Sequence, residues 1–169
     1  RPDGSTEFID FLGNAAEGTN RGVEMDINWF FNDNFNINAN AGWLDAEFDE
    51  FINEFGEDLS GRDQAHAPSY TFSLNFNYQQ GPWFASVSAD GKDNFFFSDR
   101  HSIKSKRYTL YNASLGFESG QWKVTLWGRN LADKDYYVRG FGSFGNDPRN
   151  FYVTEPYFQY GEPRVTGVT

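Results

Sequence analysis

Six segments of this chain alternate between apolar and polar residues, and a period of two makes each an extended strand with two chemically different faces. In residues 22–31, Val23, Met25, Ile27, Trp29 and Phe31 share one face, opposite Glu24, Asp26 and Asn28. In 35–43, Phe35, Ile37, Ala39, Ala41 and Trp43 oppose Asn36, Asn38 and Asn40. In 70–78, Tyr70, Phe72, Leu74, Phe76 and Tyr78 oppose Thr71, Ser73, Asn75 and Asn77. The pattern returns at Trp83, Ala85, Val87 and Ala89, at Tyr111, Ala113, Leu115 and Phe117, and at Trp122, Val124 and Leu126. None of these apolar faces carries a charge. A Lys or Arg there costs roughly 2 to 4 kcal/mol at a bilayer midplane, so the absence is what lipid contact demands.

A soluble β-sandwich also alternates. Its inner face favours Val, Ile and Leu, and its outer face is well supplied with Lys, Glu and Thr. Here the polar faces are mostly Asn, Ser and Thr, and the large amphipathic aromatics gather at strand ends. Trp29, Phe31 and Phe35 surround Asn32-Asp33-Asn34; Tyr78 and Trp83 flank Gln79-Gln80-Gly81-Pro82; Phe117 and Trp122 flank Ser119-Gly120-Gln121. Trp and Tyr settle at a membrane boundary because the ring lies among apolar groups while its polar atom reaches water. The pattern therefore favours a transmembrane barrel, with a soluble ligand-binding sandwich as the alternative that a detergent requirement would separate.

The mean hydropathy of −0.68 does not oppose this, because a barrel strand needs only every second residue apolar. No run approaches the roughly 20 apolar residues of a transmembrane helix. Aromatics make up 20% of the residues, and 19 of them are Phe, which suits interfacial girdles. The net charge of −10 argues against a nucleic-acid partner. With no cysteine there is neither a disulfide framework nor thiol chemistry.

The expected fold is all-β: an antiparallel up-and-down meander of about seven or eight strands, part of a larger barrel. Besides the six clear strands, a weak one is expected near 5–12 and a last one from about Arg164. The chain opens Arg1-Pro2-Asp3 without an export signal, so it is expected to be a piece of a longer protein rather than a small closed barrel. The tight turns at 32–34, 79–82 and 119–121 are expected on the periplasmic side, and the long connections, about 50–68, 97–106 and 131–162, on the exterior.

Several segments then resemble one family. Gly22-Val23-Glu24, Gly42-Trp43-Leu44-Asp45-Ala46-Glu47-Phe48, Leu59-Ser60-Gly61-Arg62 and Ala67-Pro68 resemble the later strands of TonB-dependent outer-membrane receptors. So do Gly128-Arg129-Asn130-Leu131-Ala132-Asp133-Lys134-Asp135-Tyr136-Tyr137 and Glu162-Pro163-Arg164-Val165-Thr166-Gly167-Val168-Thr169. The resemblance implies that residues 1–169 are the C-terminal part of a barrel of about 22 strands, in the Gram-negative outer membrane among lipid and lipopolysaccharide. It implies an N-terminal plug, absent from this sequence, through which a TonB-type coupler energises import of a scarce small-molecule nutrient: a ferric siderophore, cobalamin or an oligosaccharide. The family's usual closing aromatic residue is missing.

No catalytic, cofactor or metal site is expected. Ser69 or Ser73 near His66 is the nearest approach to a nucleophile with a base, and His66 and His101 are the only imidazoles. Asp45, Glu47 and Asp49, followed by Glu54, Glu57 and Asp58, supply oxygens of the kind calcium takes but lack the EF-hand order; they read as a solvated rim. Asn130, Asp133 and Tyr136 read as a turn organised by side-chain to backbone hydrogen bonds, and Arg62 and Arg164 as braces for carboxylates. The ligand-contact candidates are Arg100 and His101, in the one basic stretch Arg100–Arg107, with Phe141 and Phe144, in an aromatic loop over 138–160. The basic stretch suits an anionic ligand or lipopolysaccharide phosphates; the aromatics suit sugar rings or aromatic siderophores.

Overall fold

The computed structural model describes residues 17–53, 55–144, 149, 151 and 155–169, with the side chains of Ser143 and Phe144 left out. The weak strand expected near 5–12 lies outside the described residues. Nine strands follow in chain order: β1 (Glu17–Asn32), β2 (Phe35–Glu50), β3 (Tyr70–Gln80), β4 (Trp83–Lys92), β5 (Tyr108–Ser119), β6 (Trp122–Arg129), β7 (Tyr137–Phe144), β8 (Glu155–Tyr160) and β9 (Val165–Val168). Seven of them form one antiparallel sheet in the order β1-β2-β3-β4-β5-β6-β9, and β7 and β8 pair as a separate hairpin. Tyr137–Phe144 and Glu155–Tyr160, expected from sequence to lie in a long loop, are therefore strands.

The register turns alternation along each strand into rows across the sheet. Ile27, Ala39, Leu74, Ala89 and Tyr111 stand in one row of the apolar face, and Phe35, Tyr78, Ala85, Leu115, Leu126 and Val168 in another. Val87, Leu115, Val124 and Leu126 are 51%, 48%, 46% and 52% exposed, so nothing in the described chain covers this face. Apolar side chains left open in a single layer need an apolar solvent. No helix among the described residues is long and apolar enough to cross a membrane.

The opposite face is a lattice of amides and hydroxyls. Asn38 donates to Asn28 at 2.6 Å, Asn77 to Asn36 and Asn38 at 2.9 Å each, and the Ser86 and Ser114 hydroxyls meet at 2.8 Å. Asn40 donates to the Asp26 carboxylate. Three glycines of the sheet are covered by rings: a Cβ at Gly91 would overlap Phe72 on the apolar face, and at Gly116 and Gly167 would overlap Phe84 and Trp127 on the polar one. At one end the polar face is hollowed by a concavity of about 900 Å³, whose lining includes Phe30, Asn36, Asn77, Phe84, Glu118 and Lys123.

That end carries the three short turns. Gly81 and Gly120 take left-handed φ values of 55° and 62°, which a tight reversal demands and a Cβ opposes. Asn32 accepts the Asn34 N–H at 2.9 Å, closing the first turn with its own side chain. The described parts of the long connections lie at the opposite end. Leu115→Lys should destabilise the folded protein in bilayers by about 2 to 4 kcal/mol, whereas Ser114→Lys, one residue along on the polar face, should change folding little. Urea unfolding in lipid vesicles checks this.

Candidate ligand-contact site at the loop end

Above Trp43 the two faces exchange character. Leu44, Ala46 and Phe48 continue the phase of the polar face, and Ala46 and Phe48 are buried at 7% exposure. Asp45, Glu47 and Asp49 continue the phase of the apolar face, and the Thr19 hydroxyl donates to Asp49 at 2.7 Å. The carboxylate rim thus stands outward and solvated. Among the described residues the buried apolar side chains, Ala46, Phe48, Leu59, Phe95 and Phe97, all sit in this cap rather than in the lower part of the sheet.

Residues 59–69 run back along upper β2, with Phe48 N–H bonding to Arg62 O at 3.0 Å and Gln64 N–H to Ala46 O at 2.8 Å. Arg62 then reaches the next connection, donating to Ser98 O at 2.6 Å and His101 O at 3.0 Å. Its guanidinium lies 3.8 Å from the Phe96 ring centroid, and Lys104 lies 4.0 Å from the same ring while pairing with Asp63 at 3.4 Å. Arg62 braces carbonyls, not the carboxylates expected from sequence. Arg164 does meet one, Asp133, at 3.8 Å.

The β7–β8 hairpin docks on this assembly through two glycines. A Cβ at Gly140 would overlap the Phe97 ring, and one at Gly142 would come within 3.0 Å of His101 Cδ2. Phe97 also meets Phe158 at 6.4 Å and Phe95 at 5.2 Å. Consecutive Phe95-Phe96-Phe97 in a connection was the sequence signal for this cluster, and the sequence reading passed over it.

Of the four candidates, His101 and Phe141 are brought into one region, because His101 packs on Gly142, the neighbour of Phe141 in sequence. Phe141 is 39% exposed, with the Arg139 guanidinium 5.8 Å from its ring centroid. Arg100 is exposed, its N–H bonded to Ser98 Oγ at 3.1 Å. The Phe144 backbone pairs with Glu155 in the hairpin; its side chain lies outside the described part. Burial and then the Arg62 charge hold the His101 imidazole below its ordinary pKa, and its Nδ1 accepts the Ile103 N–H at 3.4 Å as a neutral ring does.

The Asn130 turn matches its sequence reading. Asn130 is 3% exposed with φ of 46°, accepts the Lys134 N–H at 2.8 Å and donates to Lys134 O and Glu162 O at 3.0 Å each. Asp133 accepts the Arg164 N–H at 3.0 Å, and the Tyr136 hydroxyl accepts the Glu162 N–H at 3.2 Å. His66 packs on Phe95 at 5.5 Å, Ser73 donates to Asp90 at 2.6 Å, and among the described residues no hydrogen bond joins His66 to Ser69 or Ser73. Among the described residues no three His, Asp, Glu or Cys side chains converge on a metal position.

A single-layer sheet, apolar outside and amide-lined inside, with short turns at one end and a folded loop cap at the other, defines a slice of outer-membrane β-barrel wall. Residues 1–131 match the family model for the TonB dependent receptor-like β-barrel, and the chain belongs to that family. It is 40% identical over 89 residues to the ferric-pyoverdine M114 receptor PbuA of Pseudomonas sp. (strain M114), a stretch that is 50% of this chain and 10% of that receptor. Two crystal structures, the siderophore receptor PiuA from Acinetobacter baumannii and the ferric yersiniabactin uptake receptor FyuA from Yersinia pestis, superpose with TM-scores of 0.69 and 0.71. Identity is 19% and 17%, and the match covers 89% of this chain in both and 21% and 23% of those chains. The chain thus spans about a tenth of the curated relative and about a fifth of the solved ones. It is an outer-membrane protein of Gram-negative type, with the polar face toward the lumen.

Arg62→Met, which removes both carbonyl contacts, should loosen the packing of 93–106 on 59–69 by about 2 kcal/mol, read by hydrogen exchange across 96–103. Because the folded His101 pKa lies below the ordinary 6.5, the unfolded cap binds more protons. The His101 contribution to cap stability should be complete above pH 6.5 and fall away as pH drops through the lowered folded value; His101→Gln should flatten that dependence.

Proposed function

We propose that this chain is the C-terminal part of the barrel wall of an active importer of ferric siderophores, working in a whole receptor whose plug engages a TonB-type energy coupler. The observation that carries the reading is the uncovered apolar face opposite an amide-lined one, in a chain whose family is shown. Within the described residues β1 and β9 are the edges of an open seven-stranded sheet, which supports a slice of a larger barrel over a small closed one. The relatives are named for ferric-pyoverdine, ferric yersiniabactin and siderophores, which supports a ferric siderophore over cobalamin or an oligosaccharide. The segment carries no catalytic step: its work is to close the wall, to present polar groups to the lumen and to hold the external cap.

Within that cap, Arg100 and Phe141 are the ligand-facing residues, one offering an exposed cation and the other a part-exposed ring to an anionic, aromatic chelate. Lys106 and Arg107, exposed at the base of the cap, face the phosphates of lipopolysaccharide. In cells lacking other siderophore receptors, the whole receptor should take up ferric pyoverdine-type or catecholate chelates in a manner abolished by collapsing the proton gradient. Arg100→Ala and Phe141→Ala should each raise the half-saturating concentration about fivefold to tenfold while heat-modifiable barrel assembly stays intact. Equal uptake by both variants would remove them from the site, and uptake indifferent to the gradient would overturn the importer reading.

A further inference from the structure

The Asn130 turn is tied to the lumen wall through a chain of hydrogen bonds that the loop cap does not need for its own closure. The Asn130 N–H donates to Asn112 Oδ1 on β5 at 3.0 Å. Asn112 Nδ2 in turn donates to Asp90 Oδ2 at 3.2 Å and to Ser88 Oγ at 3.0 Å. Asp90, on the lumen face of β4, also accepts Ser73 at 2.6 Å on Oδ1 and Ser88 at 3.1 Å on Oδ2. A carboxylate only accepts, so it compels Asn112 to turn its NH₂ toward the wall and therefore its carbonyl toward Asn130. The buried turn thus owes the partner of one main-chain N–H to a charge two strands away.

We propose that Asp90 and Asn112 are positioning residues for the last external segment, setting from the lumen side the turn on which residues 130–136 and 161–164 rest. Whatever neutralises or occupies Asp90 from the lumen releases Asn112 to rotate, orphans the Asn130 N–H and slackens the base from which the β7–β8 hairpin departs. The wall carboxylate and the external hairpin are then two ends of one hydrogen-bonded unit. The inference rests on the membrane orientation of the sheet and not on the identity of the nutrient.

The test is hydrogen exchange of the whole receptor in detergent micelles, reading peptides that contain Asn130–Lys134, with the wall peptides of 22–43, which hold no member of the chain of bonds, as internal reference. Asp90→Leu, which removes the acceptor, should speed exchange at the turn about tenfold and leave the reference unchanged. Asn112→Asp, which keeps an acceptor for the Asn130 N–H but sets it against the Asp90 carboxylate, should speed exchange at the turn less than Asp90→Leu but measurably. Combining Asn112→Asp with Asp90→Asn restores a donor at 90 and an acceptor at 112, and should return the turn to the wild-type rate. Ser86→Ala, on the same face but outside the chain of bonds, should have no effect. Wild-type exchange in Asp90→Leu would overturn the proposal, and so would a double variant that exchanges as fast as Asn112→Asp alone, since a merely structural role offers no reason for the reversed pair to rescue.

Discussion

Hydrocarbon offers no partner to a backbone N–H or C=O, so a chain that crosses it as strands must satisfy each of those groups from a neighbouring strand. Every feature of the wall follows from that constraint. The antiparallel ladder runs from β1 to β6 and on to β9, and each strand between those two edges has a neighbour on both sides, supplied by a short turn or by a loop that returns to the same place. With the main chain satisfied, the side chains only sort themselves by face: hydrocarbon outside, hydrated amide and hydroxyl inside. Net hydropathy then carries little information, since the two faces cancel.

The cap obeys the opposite rule, and the exchange happens within one strand. Below Trp43 the outward phase of β2 is apolar; above it the same phase is Asp45, Glu47 and Asp49, and the inward phase becomes Leu44, Ala46 and Phe48. Once the strand leaves lipid, water lies outside and the apolar side chains need a protein interior, which the returning loops supply. Leu59, Phe95 and Phe97 complete it. Among the described residues a conventional core therefore forms only where the chain has left the membrane. Arg62 fits the same logic, because loops that pair incompletely leave carbonyls at Ser98 and His101, and a planar cation with several donors satisfies both while stacking on Phe96.

The wall was legible in the sequence because period-two alternation is a one-dimensional code for it, and the adjacent apolar pair Trp43-Leu44 even marks the phase slip at the membrane exit. The Asn130 turn was legible because Asn, Asp and Tyr act there on nearby backbone, within the reach of local reasoning. The β7–β8 hairpin was not. Its first strand carries Gly140 and Gly142, and Phe97 and His101 fill the space those glycines leave, a tertiary contact with no local signature. The partners of Arg62 were hidden for a related reason: sequence advertises carboxylates but is silent about which carbonyls a fold leaves open. The same holds for Asp90, which reads as one polar residue among many until the register sets it against Asn112.

The wall requires hydrocarbon, rather than water or protein, against its open apolar face. Single nitroxide labels placed one at a time on introduced cysteines at residues 71–77 of the whole receptor, with any cysteine elsewhere replaced, measure this directly in lipid vesicles; this chain itself contributes none. Collision with dissolved oxygen should peak at Phe72, Leu74 and Phe76, and collision with a water-soluble nickel chelate at Thr71, Ser73, Asn75 and Asn77. Equal oxygen and nickel access along the strand, or labels at Phe72, Leu74 and Phe76 shielded from both, would contradict the membrane wall.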